Sequence, residues 1–166
     1  MNRFITEKMQ IVMGIVPINL ASGANNGDWV SLKNYGRCAV VLIKGAGAAG
    51  EDPTLTLVQA TEVAGTTSKS LTFTRIDKKV GGQTTISQFT TVTQAAAATY
   101  LDDTTAENEL IMIADIKAED LDVANGYDCL RATIADVGTT SQIGGLIYIL
   151  HEPRYASPTL PGAITD

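Results

Sequence analysis

Short apolar runs, separated by turn residues, recur along the whole chain. Residues 54–58 alternate, with Leu55 and Leu57 on one side and Thr54 and Thr56 on the other. Leu71 and Phe73 repeat this against Thr72 and Thr74, and Leu130, Ala132 and Ile134 alternate with Arg131 and Thr133. A period of two marks a strand with one buried face. Three further runs are apolar almost throughout. Cys38-Ala-Val-Val-Leu-Ile-Lys44 is too short and too β-branched for a helix and reads as a buried strand. Residues 110–116 form another such run, broken only by Asp115, and residues 146–150 close the series.

Threonines crowd between Thr54 and Thr105, and β-branched residues fit a pleated, half-buried surface. Asn26-Gly27, Asp52-Pro53, Gly81-Gly82, Asn125-Gly126 and Gly144-Gly145 read as turns between the strands. Only residues 95–98 and 102–109 have any helical character, enough for a single turn. The pattern therefore predicts an all-β chain, an antiparallel β-sandwich of jelly-roll or Greek-key type with extended N- and C-terminal arms. We divide it into an N-terminal arm (1–10), the sandwich (11–152) and a Pro-rich C-terminal tail (153–166). Phe4, Ile5, Tyr155, Leu160 and Ile164 make these ends apolar enough to dock on a neighbour, although such ends often merely fray.

Composition narrows the chemistry. At 166 residues and 17.5 kDa, one domain can build a core without a metal or disulfide staple. Hydrophobic residues make up 45% and charged residues 18%, which excludes a disordered chain. A net charge of −6 and a pI near 4.7 argue against a nucleic-acid partner. One histidine and two cysteines leave little for zinc or for His-dependent acid–base catalysis, so no cofactor, metal or catalytic residue is expected. Cys38 and Cys129 read as buried, reduced thiols. Residues 11–20, after Arg3 and Lys8 and before Ala21-Ser22-Gly23-Ala24, imitate a signal peptide, but Glu7, Gly14 and Pro17 argue against cleavage. No other apolar run approaches the ~20 residues of a membrane span, so no membrane partner is expected.

Each motif has a bland reading that fits better than the reactive one. Gly45-Ala-Gly-Ala-Ala-Gly50 matches a dinucleotide fingerprint, but Glu51-Asp52-Pro53 and an alternating strand follow where that motif needs a helix. The acidic stretch 119–128 lacks the spacing of a calcium loop and reads as a solvated turn. Asp102 and Asp103, with Glu107 and Glu109, could serve as paired carboxylates, yet no aromatic platform for a sugar lies nearby. His151 beside Glu152 reads as a strand-end histidine, since no nucleophile elbow exists. Trp29 reads as a core or subunit-interface residue.

Four segments carry a resemblance. They are Asn26-Gly-Asp-Trp-Val-Ser-Leu-Lys-Asn-Tyr-Gly36, Leu42-Ile-Lys-Gly-Ala-Gly-Ala-Ala-Gly-Glu-Asp-Pro-Thr-Leu-Thr56, Ala118-Glu-Asp-Leu-Asp-Val-Ala-Asn-Gly-Tyr-Asp-Cys129 and Leu146-Ile-Tyr-Ile-Leu-His-Glu-Pro-Arg-Tyr155. Across residues 10–156 the chain resembles the head-decoration (cement) proteins of tailed phages and prophages. The resemblance is one of whole pattern and carries no catalytic signature. It implies a β-rich virion protein, assembled in the bacterial cytoplasm, that sits as a dimer or trimer on the outside of an expanded capsid. The implied partners are the major capsid protein and the chain itself. Phe4, Ile5, Trp29, Tyr155 and Leu160 are then the candidate capsid or subunit contacts. A tail or head-fibre component and a carbohydrate-binding or adhesin module are the alternative expectations, the last weakened by 5% aromatic content.

Overall fold

The computed structural model describes residues 4–81, 88–103, 108–155 and 159–164. The strands are β1 (Gln10–Asn19), β2 (Asn25–Asn26), β3 (Val30–Ser31), β4 (Tyr35–Lys44), β5 (Thr54–Ala60) and β6 (Ser68–Ser70), followed by β7 (Phe73–Val80), β8 (Thr90–Ala97), β9 (Thr99–Leu101), β10 (Leu110–Lys117), β11 (Cys129–Ile134) and β12 (Ile143–Pro153). They form two antiparallel sheets. The larger has the order β1-β12-β4-β10-β7-β8 and the smaller β2-β11-β5-β6, with β3 also on β11 and β9 also on β5. The helical pieces are 3-10 turns of three residues, and among the described residues no helix is long and apolar enough to cross a membrane.

The expected jelly roll is visible in the connectivity. Four strands of the larger sheet run β1-β12-β4-β10, and the smaller sheet answers with β2/β3-β11-β5-β9. The chain changes sheet at almost every step, from β1 through β4 and β5 to β10, β11 and β12. That gives the two interlocked Greek keys of an eight-stranded jelly roll. Strand β6 and the β7–β8 hairpin are inserted between β5 and β9, and the hairpin widens the larger sheet by two strands.

Alternation accounts for the core. Cys38, Val40 and Leu42 of β4, Met112 and Ala114 of β10, and Leu146, Tyr148 and Leu150 of β12 project inward from the larger sheet. Leu55 and Leu57 of β5 and Leu130, Ala132 and Ile134 of β11 meet them from the smaller one. Tyr148 also ties the layers together. Its hydroxyl accepts the Ala132 N–H at 2.9 Å, between the segments of β11 that pair with β2 and with β3. Cys38 and Cys129 are buried thiols, as expected.

Several local expectations need correction. Gly144-Gly145 is no turn but part of β12. A Cβ on Gly144 would lie 2.6 Å from Leu20, and one on Gly145 would lie 3.0 Å from the carbonyl of Ile15. Glycine is needed there because β1 shifts register twice, between Met13 and Ile15 and again before Ile18, and presses its backbone on β12. Asn26-Gly27 ends β2 rather than turning a hairpin; Gly27 is glycine because Ala132 and Tyr148 crowd its Cα. Residues 95–97 end β8, since pairing with β7 outweighs the helical preference of alanine. Of the second helical candidate, 104–107 lie outside the described residues, and the flanking positions are irregular. The signal-like run 11–20 is β1 and the turn after it.

The C-terminal tail folds back onto its own sandwich. Leu160 and Ala163 enter the core, Tyr35 donates its hydroxyl to the Pro161 carbonyl at 2.6 Å, and the Ser31 N–H reaches the Ala163 carbonyl at 2.6 Å. Apolar side chains with two backbone anchors make this segment part of the body.

Candidate functional site: the outer face of the larger sheet

Cross-strand partners in an antiparallel sheet share a face, so register assigns the outward rows. One row holds Ile113, Val41, Ile147 and Met13, from β10, β4, β12 and β1 in turn. The row above it holds Ile111, Ile43 and Gly145, and the row below holds Ala39, Ile149 and Ile11 beside Asp115. One row is thus apolar across four strands and its two neighbours across three, on the side away from the core. Ile11, Met13 and Ile43 are about half exposed, at 51, 54 and 49%. Val41 lies in the middle, screened by its neighbours and separate from the core cluster.

Charge begins where this strip ends. At the foot, Arg37 Nη2 and Nε reach Asp115 at 2.7 and 3.1 Å, and His151 Nε2 lies 3.3 Å from the same carboxylate. The hydrogen bond to Asp115 raises the Arg37 pKa above its ordinary value. On the β7 side, Arg75 pairs with Asp77 at 3.0 Å, and Thr91 of β8 joins the same carboxylate. At the top lies an apolar groove of about 650 Å³ with Gly145 in its wall. Met13, Pro17, Ile43, Ile111, Ile143 and Ile147 line it, with Lys79 and Glu109 at the rim.

An antiparallel sheet with one face in water needs apolar residues only on the other. A contiguous exposed apolar patch of this kind marks a contact with another macromolecule. The signal was in the three continuous apolar runs, which lack the alternation of β5 and β11. The run 38–44, read as a buried strand, is buried on its inner face only; the inner faces of all three runs fill the core and their outer faces form the strip.

The five residues singled out from the sequence do not form one surface. Phe4 and Ile5 are exposed, at 78 and 59%, beside a 3-10 turn closed by Glu7 accepting the Phe4 N–H at 3.1 Å. Tyr155 is 68% exposed. Gln10 pairs with Leu150, and β12 ends at Pro153, so both chain ends leave the larger sheet at its Arg37–His151 end. Trp29 lies in the connection between β2 and β3 of the opposite sheet. Arg131 stacks over its ring at 4.7 Å, and Gly65 leaves no room for a Cβ beside its indole nitrogen, so the ring is packed within its own chain. Leu160 is the correction: its side chain is used by the core and is withdrawn from any partner.

The reactive candidates have mundane partners. Residues 45–53 form an irregular loop that leads into strand β5, where a dinucleotide site needs a helix. Asp102 is buried against Lys78 and Tyr100, whereas Asp103 is exposed. Asp122, in the acidic stretch, is engaged by Lys69 and by Asn125, and these bonds hold its carboxyl below the usual range. Among the described residues, no group of three His, Cys, Asp or Glu side chains could hold a metal ion. No family model, curated protein or solved structure matches the chain.

Proposed function

We propose that this chain is a structural virion protein that binds the exterior of a tailed-phage capsid as a symmetric oligomer and stabilises the shell. One observation carries the reading: the larger sheet turns outward an apolar face bordered by paired charges, which is a means of adhesion. The four segments that resemble head-decoration proteins give adhesion its setting. Weak contacts repeated by symmetry across a shell add up through multivalency. Phe4, Ile5 and Tyr155, exposed where both chain ends leave the sheet, are the contacts offered to the shell.

Quantitative mass spectrometry of purified particles tests this reading. A copy number comparable with that of the major head protein is expected, together with greater heat resistance of shells that carry the protein. A few copies per particle would move it to the tail or a fibre, and absence from the particle would remove the virion reading.

A further inference from the structure

We propose that the outer face of the larger sheet is closed by a second copy of this chain. The two copies pack face to face about a two-fold axis that runs along the strands, between β12 and β4. The position of the axis follows from the strip itself. Its four apolar strands lie in the order β1-β12-β4-β10, with the midline between β12 and β4. Rotation about that line lays β12 over the partner's β4 and β1 over the partner's β10. Met13 then faces the partner's Ile113 and Ile147 the partner's Val41, apolar on apolar in both directions, as an isologous interface requires, while Ile11 lies over the partner's Asp115 at the foot of the strip.

Relief supports the same axis. Gly145 and Ile43 are cross-strand neighbours on either side of the midline, Gly145 in the wall of the groove beside the bulged backbone of Ile15 and Pro17, and Ile43 a half-exposed knob. The rotation seats the partner's Ile43 over Gly145 and this chain's Ile43 over the partner's Gly145. Each copy thus places a knob over the groove of the other.

Area and charge are also consistent with a second copy. Four strands spaced by about 4.8 Å, covered over eight residues of about 3.4 Å each, give roughly 520 Å² per protomer. The pair buries about 1,000 Å², the size at which specific interfaces begin. The β7–β8 hairpin overhangs the partner's β1, so Arg75, Asp77 and Lys79 supply a polar rim. At the foot of the strip the Arg37–Asp115 pair is internally compensated, so a copy laid over it meets no isolated like charge.

Sedimentation equilibrium of the full chain and of three variants tests the interface. We expect a dimer that Ile43→Asp weakens ~100-fold while folding is retained by near-UV circular dichroism. Thr99→Asp, on the smaller sheet, should leave the dimer intact. If Ile43→Asp fails to fold, Met13→Gln on the edge strand decides by the same loss of affinity. A wild-type monomer at about 100 μM, a trimer, or a dimer indifferent to both face variants would overturn the proposal. A dimer absent from particles would support this interface and remove the capsid reading; a monomer abundant on particles would do the reverse.

Discussion

Tyr148 stands on the inner face of β12, yet its hydroxyl serves β11 in the other sheet, accepting the Ala132 N–H at 2.9 Å. Burial pushes this phenol well above its ordinary pKa. Tyr148→Phe keeps the ring and strands a buried backbone donor. The expected loss is about 1–3 kcal/mol, read as a lower urea midpoint with an unchanged slope. Glu51 makes a second, pH-dependent tie. Its carboxylate accepts the N–H groups of Thr139 at 2.7 Å and Thr140 at 2.9 Å, clamping the 45–53 loop to the segment before β12. The bonds from Thr140 and then Thr139 hold its pKa below the ordinary 4.5. The unfolded chain therefore binds a proton before the folded one does as pH falls. Glu51 thus stabilises the fold fully above pH 4.5, and this contribution disappears as pH drops through the lower folded value. Thermal melts of Glu51→Gln should show a deficit against wild type at neutral pH that closes in acid; a deficit constant across pH would refute the clamp.

At the level of elements, the C-terminal segment is the test of what belongs to the fold. Leu160 and Ala163 lie in the core cluster, and Pro161 and Ala163 accept hydrogen bonds from Tyr35 and Ser31. A chain ending at residue 158 should lose about 2–4 kcal/mol from the removed apolar burial and the stranded donors. Removal of residues before Ile5 should change the melting temperature little, since Phe4 is exposed. Differential scanning calorimetry of the two truncations separates these cases. The tail was not legible in the sequence, because prolines announce irregular backbone and are silent on whether that backbone is docked. The strands themselves were legible, since Leu55/Leu57 and Leu130/Ala132/Ile134 alternate with polar neighbours. Gly144-Gly145 was misread because a glycine pair looks alike in a turn and under a bulged neighbouring strand. The candidate site was visible only as an excess. Ile43, Ile111 and Ile147 are outward residues in runs whose inward residues already suffice for a core, and only the register of β12, β4 and β10 reveals that they share one face.

For the whole molecule, charge and apolar surface act in opposite directions on assembly. Each chain carries −6, so two copies repel, while the strip contributes attraction that ions hardly screen. Raising the salt concentration from about 0.05 to 0.5 M shortens the Debye length from roughly 14 to 4 Å and weakens only the repulsion. The dimer should therefore tighten modestly with salt, as seen by sedimentation equilibrium at several ionic strengths. Its association should also show a negative heat-capacity change, since apolar area leaves water. An interface built instead on ion pairs, such as one formed by Lys69, Arg75 and Arg154 with acidic partners, would loosen over the same range. The sign of the salt dependence thus distinguishes the sheet face from every charged surface on the molecule, and it does so on the unmodified chain. A dimer that dissociates as salt rises would rule out the apolar strip as its interface.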